Sequence, residues 1–174
     1  MNIKIQRAEA KSLSLVSSVL RDAAKWLESK GQPLWKSEWL TPENLEREPG
    51  SYYLARVEEE NAGVYRFQEE DTLFWPESPT SEATYIHRLS VRRAFAGKGI
   101  ASMLIQHATE MTKAKNRRFL RLDCDSTRPK LRTFYEGLGF RFHSLKQIGD
   151  FSAARYELKL EANQSPQLPK DRSP

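Results

Sequence analysis

A glycine-containing loop in the middle of the chain has the composition of a phosphate-binding site. Its residues are Ala96, Gly97, Lys98, Gly99, Ile100 and Ala101. An alternating apolar segment, typical of a strand, precedes the loop, and apolar residues at helical spacing follow it. The loop therefore leads into a helix N-terminus, where unpaired backbone N–H groups and the helix dipole attract anions. Because glycines also let the backbone approach an anion closely, the segment predicts binding of a diphosphate.

Two common phosphate-binding signatures do not fit this loop. A P-loop requires Ser or Thr after its Gly-Lys pair, but Gly99 follows Lys98. A dinucleotide-binding fingerprint requires a third glycine three residues after the second, where this chain has Ser102. For the two glycines alone, a turn without a ligand is the alternative interpretation.

A second motif follows the helix, and the two together resemble a known family. The loop, with Leu89, Ser90 and Val91 before it, is similar to the acetyl-CoA motif of the GNAT acetyltransferases, Leu-x-Val followed by Gln/Arg-x-x-Gly-x-Gly/Ala. The segment Phe134-Tyr135-Glu136-Gly137-Leu138-Gly139-Phe140 resembles the family's Tyr-Glu-x-x-Gly-Phe segment. The resemblance covers residues 84–145 closely and the remaining strands and helices loosely.

The resemblance implies that acetyl-CoA is the co-substrate and indicates which residues would hold it. Ala96 stands where the family has Gln or Arg, so the phosphates would depend on backbone N–H groups from Gly97 to Ala101, helped by Lys98 or Arg93. Leu89, Ser90 and Val91 would receive the pantetheine arm, and a backbone N–H there would stabilise the oxyanion. Arg128 replaces a frequent Asn and is a further candidate for phosphate contact, with a solvated helix face as the alternative.

The resemblance also implies an acid and a base for acyl transfer. Tyr135 matches the tyrosine that faces the CoA sulfur, and a phenol with a pKa of about 10 can protonate the leaving thiolate; a core tyrosine is the alternative. His87 is the candidate base, because the serotonin N-acetyltransferase branch has histidines at the positions of Tyr85 and His87. A structural histidine within the sheet is the alternative to this role, and the rival bases, acting through water, are Glu77, Glu82 and Asp125.

Bulk properties exclude several classes of protein. The 174 residues carry a net charge of +5, yet no nucleic-acid recognition motif accompanies that charge. The apolar runs are too short to span a bilayer, and no signal peptide is recognisable at the N-terminus. One cysteine, Cys124, excludes an internal disulfide and suggests a reducing, cytoplasmic location. The scattered histidines give no metal-ligand spacing, so no metal is predicted.

Hydrophobic periodicity predicts an α/β (α+β mixed) domain over residues 1–160 with a mixed sheet. The resemblance implies the GNAT acyl-CoA N-acyltransferase fold, in which the central mixed sheet is mostly antiparallel and flanked by helices. Residues 161–174 are predicted to be a disordered tail. The predicted strands are residues 3–5, 52–57, 64–67, 85–91, 119–124, 140–145 and 153–160. The predicted helices are residues 11–30, a short one after Thr41, 100–114, and one that starts at Pro129 and ends at Gly137 or Gly139.

Aromatic and acidic residues before the central strand are candidates for the acceptor pocket. They are Trp26, Trp35, Trp39, Phe74, Trp75, Glu69, Glu70, Asp71, Glu77 and Glu82. An aromatic floor with carboxylates would suit a small cationic amine, and Trp75 is the best candidate for a lid or pocket wall; core packing and a solvated loop are the alternatives. We therefore expect an N-acetyltransferase for a small-molecule or peptide amine, possible homodimerisation as in the family, and no nucleic-acid or membrane partner. A non-catalytic acyl-CoA sensor is the alternative.

Overall fold

Seven strands form one mixed sheet in the computed structural model, which describes residues 2–161. The strands are β1 (Ile3–Arg7), β2 (Ser51–Val57), β3 (Glu60–Gln68), β4 (Ala83–Val91), β5 (Phe119–Asp125), β6 (Arg141–Ile148) and β7 (Phe151–Lys159). Their order in the sheet is β1-β2-β3-β4-β5-β7-β6, and only β4 and β5 pair in parallel within the described residues. The predicted mostly antiparallel sheet is confirmed.

Helices cover both faces of this sheet. They are α1 (Leu13–Ser29), α2 (Pro42–Arg47), α3 (Ile100–Ala114) and α4 (Pro129–Gly137). The first two pack on the face that holds Leu54 and Val64, and the other two on the face that holds Tyr65. The alternation of side chains along a strand explains why Val64 and Tyr65 belong to different cores.

Local sequence signals account for the helix boundaries. Pro42 occupies the first turn of α2, where its missing N–H costs little, and the Thr41 hydroxyl accepts a bond from the Asn44 backbone N–H at 3.3 Å. The predicted helices and strands match the structure within a few residues at their ends. Residues 162–174 lie outside the described part of the chain, so the disordered tail and the domain boundary at residue 160 stay predictions.

The parallel pair β4 and β5 separates partway along its length. Pairing runs from Ala83 opposite Phe119 to Ile86 opposite Leu122, although β4 continues to Val91 and β5 to Asp125. Beyond Ile86 the two strands have no paired residues, and a gap opens between them. The sequence does not show this separation, because both strands read as continuous.

A bulge in β4 lies at the same point. The β3–β4 register shifts between Val64 and Arg66, so Arg88 and Leu89 have no opposite residue on β3. Arg88 has a left-handed backbone with φ of 56°, a conformation uncommon for residues other than glycine. The bulge directs consecutive side chains of β4 toward the gap.

On the face that holds Tyr65, α3 approaches the sheet closely. A Cβ atom on Gly63 would lie 3.0 Å from Leu104 Cδ1 and 3.1 Å from Ile100 Cγ2. Glycine at this position therefore allows α3 to lie against β3. None of the helices in the described residues is long and apolar enough to cross a membrane.

Candidate active site

A cavity of about 960 Å³ opens where β4 and β5 separate. This volume is typical of small-molecule and cofactor sites. One side, which we call the loop side, is lined by Leu89, Ser90, Val91, Arg93, Ala96, Cys124, Asp125, Arg128, Leu131 and Tyr135. The other, the aromatic side, includes Trp26, Trp35, Trp39, Glu48, Arg66, Asp71, Phe74, His87, Arg88, Asp123 and Phe151. The residues predicted for acid, base and pantetheine contact therefore share one cavity.

The glycine loop lies at the start of α3, beside this cavity rather than inside it. Gly97 and Gly99 have φ of 75° and 79°, and a Cβ atom at either would meet nothing within 4 Å. Glycine is thus required there by the left-handed backbone and not by lack of space. In the described residues the backbone N–H groups of Gly97 and Gly99 have no hydrogen-bond partner, whereas that of Lys98 donates to Phe95 O at 3.4 Å.

Among the predicted cofactor residues, Ala96 and Arg128 line the cavity, and Gly97 to Ala101 lie outside its lining. The loop is exposed, and Ile100 is buried as the first residue of α3. An extended ligand that leaves the cavity past Ala96 would reach the free N–H groups of the loop. The contacts between the loop N–H groups and the CoA phosphates therefore stay a prediction.

Tyr135 lies on α4 with its ring in the core and its edge at the cavity. The side chain packs against Phe134, Phe140 and Tyr156 and is 6% exposed. Burial raises the pKa of Tyr135 well above its usual range, and the nearby Cys124 raises it further. The phenol is therefore protonated at neutral pH, as a general acid must be.

His87 is enclosed by two carboxylates. Its Nε2 lies 2.9 Å from Asp71 Oδ2, within hydrogen-bond geometry, and its Nδ1 lies 3.1 Å from Asp123 Oδ1. The second contact has the distance of an ion pair but not the alignment of a hydrogen bond, so Asp123 Oδ1 is buried without a hydrogen-bond partner in the described residues. Burial alone would lower the pKa of His87, but the two carboxylates outweigh it and raise the pKa to about 9.

Each carboxylate is positioned by its own element. Asp71 opens the loop between β3 and β4, and its Oδ1 accepts the backbone N–H groups of Leu73 at 3.2 Å and Phe74 at 2.9 Å. Asp123 lies on β5 just after the pairing with β4 ends. Our sequence analysis gave Asp71 only as a pocket carboxylate and assigned Asp123 no role. The alternation of Arg121, Asp123 and Asp125 along a strand was the available signal.

The charge of His87 changes what the predicted base can do. At neutral pH the imidazole is protonated and both nitrogens face carboxylates, so in this state it cannot accept a proton. Of its predicted rivals, Glu77 and Glu82 pair with Arg155 and Arg121 and do not line the cavity. Asp125 does line it, and its Oδ1 accepts bonds from Thr127.

A second charged cluster lies on the aromatic side. Glu48 Oε1 accepts a bond from Arg88 Nη2 at 2.5 Å, and Glu48 Oε2 accepts bonds from Arg66 and from the Tyr52 hydroxyl. The Arg88 guanidinium lies 5.2 Å from the centre of the Trp35 ring. Arg66 Nε and Arg88 Nη1 are buried without a hydrogen-bond partner in the described residues.

Trp75 is neither the lid nor the pocket wall that the sequence suggested. It is 2% exposed and absent from the cavity lining, because its ring lies between the guanidinium groups of Arg121 and Arg155, at 4.7 and 4.6 Å. Arg155 also donates to the backbone oxygen of Phe74 at 2.8 Å. Trp75 therefore anchors the β3–β4 loop to the sheet, and its neighbour Phe74 lines the cavity beside His87.

Two further side chains with reactive groups, Cys124 and His107, have structural surroundings. Burial raises the pKa of the Cys124 thiol to about 12, which keeps it protonated and poorly nucleophilic. His107 Nδ1 lies 2.7 Å from the Tyr65 hydroxyl, as expected of a core histidine. Asp71, His87 and Asp123 offer ligand atoms within 4.8 Å of one another, but their mutual ion pairs already account for this arrangement. A metal-free site stays a prediction.

Comparison with known proteins places this geometry in context. The model of the acetyltransferase (GNAT) family matches residues 19–140. YesJ of Bacillus subtilis (strain 168), an uncharacterized N-acetyltransferase, is 28% identical over 135 residues, which are 73% of this chain and 75% of YesJ.

Solved structures share the fold. A GNAT-family acetyltransferase from Listeria monocytogenes 4b F2365 superposes with a TM-score of 0.74 at 24% identity, covering 91% of this chain and 95% of that one. Another from Elizabethkingia anophelis, solved with acetyl-CoA bound, gives a TM-score of 0.66 at 20% identity over 91% and 99% of the two chains.

Proposed function

The chain belongs to the GNAT family of acetyltransferases, and from this premise we propose that it transfers the acetyl group of acetyl-CoA to a primary amine of a small molecule or peptide by direct attack. The observation that supports the proposal most directly is the cavity at the β4–β5 gap, which His87 and Tyr135 both line. A single cavity shared by the two groups is what a direct transfer needs, because amine and thioester must meet in it.

In this proposal the donor enters through the loop side. The pantetheine arm lies along Leu89 to Val91, where β4 has lost its pairing with β5 and its backbone can bond a ligand instead. The phosphates then meet the unpaired N–H groups of the glycine loop, and Arg93 and Arg128 add positive charge at the cavity wall. In this arrangement phosphate binding does not require the Gln or Arg side chain that the family has at the position of Ala96.

Tyr135 is the proposed general acid. When the tetrahedral intermediate collapses, the carbon–sulfur bond breaks and the phenol donates its proton to the departing CoA sulfur. The raised pKa of Tyr135 ensures that this proton is present. The N–H groups of the β4 bulge near Leu89 are the proposed donors to the oxyanion, since the bulge leaves Leu89 without an opposite residue.

His87 is the proposed proton acceptor, acting together with Asp71 and Asp123. An acceptor ammonium that enters the cavity adds a positive charge next to the imidazolium, which lowers the pKa of His87 and drives its proton to water. The amine then passes the proton that it must lose before attack to one of the two carboxylates, and that carboxylate relays the proton to the ring nitrogen it contacts in the neutral imidazole. The two carboxylates hold the ring in place through both steps.

The cellular setting is also part of the proposal. A free, buried thiol at Cys124 agrees with a reducing, cytoplasmic location, and a homodimer is proposed on the resemblance to the family.

A CoA-release assay over amino acids, polyamines, aminoglycosides, arylalkylamines and peptide N-termini tests the proposal. We expect acetyl-CoA-dependent release of free thiol with at least one class, and mass spectrometry should show the product heavier by one acetyl group. If acetyl-CoA binds but no amine in the panel is acetylated, catalysis fails as the function and the sensor alternative takes its place.

A further inference from the structure

Two charged clusters of opposite sign meet on the aromatic side of the cavity. The cationic trio is Arg66, Arg88 and Glu48, in which two guanidinium groups share one carboxylate and leave one surplus positive charge. The anionic trio is Asp71, His87 and Asp123, which has a net negative charge whether or not the imidazole is protonated. Both trios line the cavity.

The sheet places the two trios next to each other. Arg66 and His87 are directly opposite each other on β3 and β4, so their side chains lie on one face at neighbouring positions. Arg88 follows His87 in the chain at the bulge, where consecutive side chains reach the same gap. Positive and negative ends of a binding site are therefore adjacent, within the reach of one small molecule.

The cationic trio has donors to spare. Arg66 Nε and Arg88 Nη1 are both buried, and neither has a hydrogen-bond partner in the described part of the chain. Buried guanidinium N–H groups are normally paired, and a native structure that leaves them unpaired calls for an explanation. Arg88 also keeps a left-handed backbone with φ of 56°, and such strain in a residue other than glycine is concentrated at functional sites.

We infer that the acceptor is zwitterionic: its amine faces the anionic trio, and a carboxylate elsewhere in the same molecule binds the Arg66–Arg88 pair. This inference deepens the proposed function and rests on it. A carboxylate suits this pair of guanidinium groups, because its two oxygens accept parallel N–H bonds. The Trp35 ring holds the Arg88 guanidinium in place from one face. Amino acids and their close relatives are the acceptors of this class.

The test compares each amino acid with its neutral carboxamide in the CoA-release assay at saturating acetyl-CoA. The two compounds differ in the carboxylate but also in the basicity of the amine. The quantity to compare is therefore the acid-to-amide ratio, which is kcat/KM for the acid divided by kcat/KM for the amide, measured in the wild type and in a variant. Arg88→Asn is the variant of choice, because Asn accepts the left-handed backbone better than other polar residues. We expect the acid-to-amide ratio to fall about ten- to a hundredfold in Arg88→Asn, as for a lost charged hydrogen bond.

Arg66→Gln serves as a second variant in case Arg88→Asn does not fold, and it should reduce the same ratio. Arg56→Gln is the matched control, since Arg56 lies on β2, pairs with Glu59 and does not line the cavity. The acid-to-amide ratio of kcat/KM in Arg56→Gln should equal that of the wild type. A ratio that stays unchanged in both Arg66 and Arg88 variants overturns the inference.

A binding measurement separates failure of this inference from failure of the proposed function. N-acetyl amino acids and their N-acetyl amides need no turnover, and their affinities for the CoA-bound protein can be measured by calorimetry. We expect the acids to bind the wild type at least fivefold more tightly than the amides, and this preference to vanish in Arg88→Asn. Equal affinities in the wild type contradict the carboxylate site even if amines are acetylated.

Discussion

At the scale of single residues, one imidazole connects three separate parts of the chain. His87 comes from β4, Asp71 from the loop before it and Asp123 from β5, and the two carboxylates lie on opposite sides of the ring. Asp71 is fixed in turn by two backbone N–H groups, so its orientation does not depend on the histidine. The cluster is therefore a preformed anionic site, at the point where the proposed reaction requires an amine to lose a proton.

The raised pKa of His87 predicts how stability depends on pH. A folded-state pKa of about 9, above the ordinary 6.5, means that the bound proton stabilises the fold fully below pH 6.5 and that this gain is lost as pH rises through 9. The wild type should therefore lose its Tm advantage over His87→Gln between pH 6.5 and 9.5. The Tm difference between the two proteins should shrink by several degrees over this pH range, because about 1 kcal/mol moves Tm by roughly 2–4 °C in a domain of this size.

Melting curves of both proteins in matched buffers check this prediction. A constant Tm difference across the range would show that the imidazolium does not contribute to the fold.

Tyr135→Phe removes only the proposed acidic proton. Turnover should drop by roughly 10²-fold or more, as for loss of a general acid, while the KM for acetyl-CoA changes little because the ring remains in the core. Steady-state kinetics with any acceptor of the panel measure both constants.

Tyr53→Phe is the matched control for that measurement, since Tyr53 packs on Tyr65 and does not line the cavity. Unchanged turnover in Tyr135→Phe would remove the acid role.

Only some residues of the candidate active site could be predicted from the sequence. His87 and Tyr135 were found because each lies in a motif with a known spacing. Asp123 carries no such motif, and its contact with His87 depends on where β4 and β5 stop pairing. For Asp123 the only signal was the alternation of polar residues along β5, and Arg88 gave none, because arginine rarely adopts the left-handed backbone that the bulge requires.

At the scale of elements, the β3–β4 loop is part of the site rather than a connection. Trp75 holds it to β5 and β7 through Arg121 and Arg155, and this anchor sets the position of Asp71 and Phe74 beside His87. Most of the aromatic and acidic residues that the sequence offered as pocket candidates lie in this loop, but periodicity within the loop could not show that Arg121 and Arg155 contact the tryptophan.

Trp75→Ala should destabilise the fold by about 3–5 kcal/mol, as expected for removal of a buried tryptophan. Trp39→Ala is the control with the same change at an exposed position, since Trp39 is 47% exposed, and it should cost far less. Denaturant unfolding of the two variants measures the difference. Equal, small losses would mean that Trp75 is not an anchor.

At the scale of the whole molecule, the excess of positive charge favours the phosphate-rich donor. The chain has a net charge of +5, and Arg93 and Arg128 line the loop side of the cavity. Long-range attraction of this kind raises association rates and is weakened by salt. The net positive charge therefore does not require a nucleic-acid partner, because the phosphates of the proposed donor are also negatively charged.

The KM for acetyl-CoA should therefore rise several-fold between about 0.02 and 0.5 M NaCl, since the Debye length falls across this range. S-acetyl-N-acetylcysteamine, an uncharged truncated donor, is the control, and its KM should stay nearly constant. Parallel dependence for the two donors would show that salt acts on the acceptor or on the fold instead.

The short parallel ladder between β4 and β5 is the seam between two antiparallel units of the sheet. Residues 3–91 supply the strands of one unit, residues 119–159 supply those of the other, and four residue pairs join the two edges. One hydrophobic core runs beneath both units, so the seam is a gap in backbone pairing and not a boundary between domains. A ligand in the gap contacts both units, and its binding free energy then adds to the stability of the seam. Amide hydrogen exchange along Phe119–Leu122 is where that reinforcement would be seen.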